Sequence, residues 1–150
     1  MDVLENAQKI LDYIGDRAGV ENLEFDGAGR AILERGGKTF IFLAREDDPI
    51  LVALIYLGQP DLKDSSLLAD ILAGNHFGVK TGGGSLSIDE ETGHLCLYHH
   101  LDLPCENPAD AEAFLGGLLG AAGYWQGVLA GREDKHMETA SGWNSDFIRV

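Results

Sequence analysis

Between Pro49 and Gly58 stand eight consecutive apolar residues, Ile50 to Leu57. The run is too short for a membrane span and bounded by two residues that break helices, so it reads as a strand. Thr39 to Ala44 is also mostly apolar. In a small antiparallel sheet one side is normally wet and shows alternating polar residues. Two strands apolar on both sides therefore constrain the fold strongly: helices must cover one side, and surplus apolar surface is left for another chain.

The flanking elements follow from local signals. Asp2 and Glu5 have capping-box spacing, and Val3, Leu4, Ala7, Ile10, Leu11 and Ile14 recur at helical steps, predicting a first helix that ends near Gly15 or Gly19. Leu23 to Phe25 and Arg30 to Glu34 read as extended around the turn Asp26-Gly27-Ala28-Gly29, and Gly36-Gly37 returns the chain into Lys38 to Arg45. Asp64-Ser65-Ser66 offers caps to a helix with Leu67, Leu68, Ile71 and Leu72, closed by Gly74-Asn75. Ser85 to Asp89 and His94 to Leu101 form a hairpin, with Leu95, Leu97, His99 and Leu101 on one face and His94, Cys96, Tyr98 and His100 on the other.

Asn107 and Pro108 start a third helix with the stripe Ala111, Phe114, Leu115, Leu118, Leu119, Ala122, Trp125 and Leu129. The expected fold is α+β, an antiparallel twisted sheet with three helices in the order α-β-β-β-α-β-β-α. One domain spans 1–131, and a polar tail, 132–150, carries scattered Trp143, Phe147, Ile148 and Val150.

Charge and cysteine usage exclude more than they identify. Acids outnumber bases 25 to 11, giving −14, and no Lys or Arg occurs between Thr81 and Gly131. Nucleic acid and anionic membranes are not expected partners. No stretch approaches the ~18 apolar residues of a membrane span. Two cysteines, Cys96 and Cys105, make no disulfide framework, and the acidic N-terminus does not resemble a signal peptide, so the expected location is the cytoplasm.

Several groups of residues invite a chemical reading. Lys80-Thr81-Gly82-Gly83-Gly84-Ser85 reverses the order of a phosphate loop and precedes a strand, so nucleotide binding is not expected. His94, Cys96 and His100 could supply zinc ligands to a small metal-binding domain or enzyme, but a structural histidine and a buried cysteine account for them equally. Cys105 with a histidine, or Ser85 or Ser141 beside His99 and Asp102, could be nucleophile pairs, yet no spacing positions them. The expectation is a protein without a catalytic site, metal or cofactor.

The ordered body resembles the Tir-chaperone family, the class I chaperones of type III secretion. The resemblance rests on Leu23-Glu24-Phe25-Asp26, the strands ending in Leu57-Gly58, Leu67 to Asn75, Gly83 to Asp89, Gly93 to Leu97, Leu103-Pro104 and the last helix with Trp125. It departs from that family in the tail and in Gly116, Gly117, Gly120 and Gly123, which weaken the helix. The resemblance implies a homodimer that holds the N-terminal chaperone-binding segment of a secreted virulence effector in extended form and delivers it without hydrolysing nucleotide. An adaptor or regulator of the same fold outside secretion is the alternative. The expected effector-binding residues are Ile10, Tyr13, Ile14, Phe40 and Phe42, and the expected dimer interface is Leu68, Leu72, Cys96 and Tyr98.

Overall fold

The computed structural model describes residues 2–137, with side chains described through Arg132. Element order is α1 (Val3–Ala18), β1 (Arg30–Arg35), β2 (Lys38–Arg45), β3 (Asp48–Gly58), α2 (Ser65–Gly74), β4 (Ser85–Ile88), β5 (Leu95–Asp102) and α3 (Pro108–Met137). The five strands form one antiparallel sheet in the order β1-β2-β3-β5-β4. This is the expected α-β-β-β-α-β-β-α arrangement.

Helix α1 begins where Asp2 accepts from the Leu4 amide at 3.4 Å, and runs through Gly15 to close on Gly19 at φ 70. Leu23 to Phe25, read as extended, joins no strand of the sheet. The Gln8 side chain supplies the partners a neighbouring strand would have given: its amide donates to the Leu23 carbonyl at 3.0 Å and its oxygen accepts from the Phe25 amide at 3.4 Å. Leu23 itself is buried in the core.

Side chains of α1 and α3 pack with one face of the sheet. Residues in register across that face are Leu33, Phe40, Ile55, Leu97 and Leu86, followed by Ala31, Phe42, Ala53 and His99. Against them lie Ala7, Leu11 and Ile14 of α1 and Ala111, Phe114, Leu118, Ala122 and Trp125 of α3. Leu119, expected in the α3 stripe, is 45% exposed, and Ala121 is buried in the core.

Helix α3 persists through its glycines to Met137, past Gly131, where the sequence suggested the tail begins. Its buried stripe offsets the weak propensity. By length and composition Pro108–Arg132 could also cross a bilayer, which the sequence reading did not anticipate. Packing of Phe114, Leu118 and Trp125 on the sheet accounts for its apolar character. Residues 138–150, with Trp143, Phe147, Ile148 and Val150, lie outside the described residues.

The glycine loop after α2 is a packing device. A Cβ on Gly82 would stand 2.3 Å from the Gly117 carbonyl oxygen, so backbone meets backbone only because both residues lack side chains. Thr81 is fully buried and its hydroxyl donates to the Gly84 carbonyl at 2.6 Å, while the Trp125 indole donates to the Lys80 carbonyl at 2.8 Å. The Arg132 guanidinium joins the end of α3 to α2 through Asp64, at 3.7 Å, and Asp70.

Candidate functional site

The second face of the sheet carries the surplus apolar surface. Because side chains alternate across a strand, the residues between the buried ones share this face. Ile32, Ile41, Leu54 and Tyr98 form one row across β1, β2, β3 and β5, ending at Ser85 of β4. Leu43, Val52 and His100 form a second row, and Thr39, Tyr56 and Cys96 a third. Ile32, Ile41, Leu43, Val52, Leu54 and Tyr98 do not belong to the hydrophobic core; Ile32 is 49% exposed and Tyr98 37%.

The two edges of the sheet differ. At β4 the Asn75 side chain donates to the Leu86 carbonyl at 3.2 Å and accepts from the Leu86 amide at 2.6 Å, satisfying both backbone groups that another strand would need. At β1, only β2 pairs with the strand. Outward of it the Arg30 carbonyl accepts from the Asp26 amide, and no other strand follows among the described residues. The Arg30 amide likewise donates to the Asp26 carboxylate at 3.0 Å, so the β1 edge is open to backbone pairing only past Arg30.

A second apolar surface rises from α2 and the 3-10 turn after it, His76–Gly78. Leu72 is 74% exposed, Phe77 89% and Val79 81%. Phe77 also has φ 55, a strained conformation for a side chain of its size, which aims an aromatic ring into solvent.

These positions differ in part from the expected ones. Ile10, Ile14, Phe40 and Phe42 are buried beneath or within α1 at 7% exposure or less, which is core and not free surface. The expectation chose Phe40 and Phe42 by residue type; strand parity puts them with Ile55 and Ala53 and turns Ile41 and Leu43 outward. Tyr13 is partly exposed, with the Arg17 guanidinium 5.9 Å from its ring centre. Of the expected dimer residues, Leu72 and Tyr98 are exposed, Leu68 is half-buried and Cys96 is buried. Phe77 and Val79 were missed, although two large apolar residues beside Gly78 and Lys80 in a loop were a usable signal.

His94 and His100 are held apart along the strand. His94 meets the Tyr56 ring edge-on at 5.5 Å, and His100 lies 3.7 Å from Asp102. At strand rise the six residue steps from His94 to His100 span roughly 20 Å, too far for one ion to hold both. Among the described residues no group of three or more His, Cys, Asp or Glu is placed to bind a metal. Burial, with the charge of Asp89, pushes the Cys96 thiol up to about 11, which disfavours the thiolate a metal or nucleophile needs.

A shallow cleft of about 540 Å³ lies between the end of β5 and the start of α3, lined by Gly82, His99, Asp102, Cys105, Asp110 and Phe114 among others. Its thiol, Cys105, is raised by burial and by Asp110 and donates to the Asn107 carbonyl at 3.6 Å. Burial, and secondarily His100, lowers the basicity of His99, whose ring lies 5.0 Å from that of Phe114. The Tyr56 hydroxyl donates to Asp89 at 3.2 Å, and burial, then this carboxylate, raises its pKa.

Solved structures share this fold. The ExsC–ExsE complex aligns with a TM-score of 0.72 at 23% identity, over 86% of this chain and 97% of that one. The HopA1–SchA chaperone–effector complex gives 0.65 at 18% identity, over 81% and 93%. The Yersinia pestis type III secretion chaperone SycH, in complex with a fragment of YscM2, gives 0.60 at 21% identity, over 79% and 98%. No curated protein sequence matches the chain. The family model that does match describes the Tir chaperone proteins and covers residues 9–126, from within α1 to the residue after the buried Trp125. The chain belongs to the Tir chaperone protein (CesT) family.

Proposed function

We propose that this protein is an effector-specific type III secretion chaperone, which binds the N-terminal chaperone-binding segment of a secreted effector in extended form and keeps it competent for export. The observation that carries this reading is the bare apolar face in register across β1, β2, β3 and β5, beside a sheet edge open at β1. An extended segment can pair its backbone with β1 and lay alternate side chains over Ile32, Ile41 and Leu43. Ordering such a segment costs on the order of 1 kcal/mol per residue, so the contact must be long and apolar. Tyr13 lies in α1, which packs on the opposite face, and is the one residue of the expected effector set with partly free surface. The work is binding alone, without turnover, metal or cofactor, in the bacterial cytoplasm. Chaperone–effector and chaperone–fragment complexes among the structural neighbours support the reading.

The protein acts as a homodimer. A two-fold contact must be self-complementary, and Leu72, Phe77 and Val79 form a projection while Tyr98 and its neighbours on the bare face form a flat acceptor. Each protomer can present both.

The test is to isolate the complex with its native partner and measure hydrogen exchange on both chains. Slowed exchange in β1 and in an N-terminal partner segment, lost together in Ile41→Asp, is expected. A partner protected only as a folded globular domain would refute the extended-segment reading.

A further inference from the structure

The open edge of the sheet has a fixed register and a charge. The β1–β2 hairpin turns on Gly36 and Gly37, at φ 61 and 75, so Arg35 and Lys38 close it and exchange both backbone hydrogen bonds. Bonded and non-bonded pairs alternate from there, so Leu33 and Ala31 aim their amides and carbonyls at β2, whereas Glu34, Ile32 and Arg30 aim theirs outward. Both outward groups of Arg30 are taken, the amide by the Asp26 carboxylate and the carbonyl by the Asp26 amide. Those of Ile32 and Glu34 have no partner among the described residues.

The side chains of Ile32 and Glu34 both stand on the bare face, beside Ile41 and Thr39. Glu34 is exposed and belongs to no ion pair among the described residues. By parity Arg35 and Lys38 fall on the helix-covered face, and the Arg35 guanidinium lies beside Gly19 at the end of α1. Arg30 shares the bare face, but it is paired with Asp26 and stands roughly 13 Å along the strand from Glu34.

We propose that Glu34 selects the effector segment by charge: the segment pairs antiparallel with β1 and sets an apolar side chain opposite Ile32 and a Lys or Arg opposite Glu34. In its own chain order the segment then reads basic residue, any residue, apolar residue. The inference deepens the effector-binding reading above and rests on it. Antiparallel pairing is the stronger kind, and it brings the residue opposite Glu34 to roughly 5.5 Å between Cα atoms, where opposite charges attract. Sliding by two residues would require the groups of Arg30 that Asp26 holds, and sliding by one would turn the apolar side chain to the wrong face. The net charge of −14 draws basic segments toward the chain in the first place. A segment outside β1 lies roughly 19 Å from β5 and leaves Tyr98 free for the second protomer.

The test selects random displayed peptides against the full chain, Ile32→Pro and Glu34→Lys. Proline is tolerated where a strand amide faces solvent, so Ile32→Pro removes an outward donor and keeps the inward bonds to β2. Glu34→Pro removes the other outward amide and replaces Ile32→Pro if that variant does not fold. Peptides recovered by the unmodified chain and lost with the proline variant pair with the edge. Among these, Lys or Arg is expected two positions before an apolar residue, and Asp or Glu there after selection on Glu34→Lys. In one such peptide, synthesised, changing the basic residue to Glu should weaken binding about two- to twentyfold at low salt and less at high salt, and should strengthen binding to Glu34→Lys. Edge-dependent peptides with no charge preference at that position, or one that survives Glu34→Lys, overturn the proposal and leave the effector reading standing. A basic residue placed after the apolar one overturns it as well, because the segment then runs parallel. If no edge-dependent peptide is recovered, the extended-segment reading falls and this proposal with it.

Discussion

The two faces of this sheet are built from the same kinds of residue and do opposite things. Phe42, Ala53 and Leu97 are fully buried under helices, whereas Ile32, Ile41 and Leu54 on the alternate positions are left without a helix. Hydrophobicity alone does not separate them, since one strand supplies both sets. The difference is parity, fixed by which side α1 and α3 close. Apolar residues on the first face hold the fold together, and those on the second are surplus to it.

The largest effect that would sharpen this contrast comes from Phe42→Ala. Emptying a fully buried aromatic site should cost about 3–5 kcal/mol, read as a lower urea midpoint, with partner binding lost only because folded protein is lost. A midpoint close to that of the unmodified chain would show that the helix-covered face does not carry the stability.

Next comes Gly82→Ala. Its φ is +64, and the new methyl would collide with the Gly117 carbonyl, so the loop must lift from α3 at a cost of about 1–3 kcal/mol. Asn75→Ala should cost about 1–2 kcal/mol by leaving the Leu86 amide and carbonyl without partners, and amide exchange at Leu86 should speed up more than exchange in β2. Uniform acceleration across the sheet would contradict the local role given to Asn75.

Ile32→Asp reverses the pattern seen at Phe42. Its effect on stability should fall within about 0.5 kcal/mol, as for other exposed substitutions, while effector capture drops at least about tenfold. If stability falls as far as in Phe42→Ala, the two faces are not distinct.

The smallest effect is on pH. Burial depresses the folded-state pKa of His99, so the unfolded chain takes up the proton first as pH falls. Stability is therefore full above the unfolded value near 6.5 and declines as pH drops from there toward the lowered folded pKa. His99→Gln should flatten the urea midpoint between pH 7.5 and 5.5. The lowered pKa values of Asp26 and Asp89 act only below the ordinary carboxylate range and leave this window alone.

Much of the architecture was legible because it was written in local code. The apolar run at Ile50 to Leu57, the Asp2 and Asp64 caps and the Asn107-Pro108 start each name an element without reference to the rest of the chain, and each appears where expected. The surplus apolar surface was legible too, as a sheet too apolar for its wet side. Which residues supply it was not. Phe40 and Ile41 are equally apolar in sequence, and only the docking of α1 on one side distinguishes them. The same holds for Gly82 and Gly117, whose purpose is a backbone contact between residues far apart in the chain, and for Gln8, which completes the backbone bonds of Leu23 and Phe25.

Asn75 has a consequence for assembly beyond the bond energies it contributes. A sheet with two free margins can recruit copy after copy and grow into a fibre, and an apolar face would make each addition more favourable. With Leu86 already bonded by a side chain in the middle of the short β4, pairing of backbones is obstructed at that margin and left to β1. An extended segment paired along β1 occupies that margin, and growth terminates. A protein whose task requires a sticky sheet can thereby exist at high concentration as a countable particle.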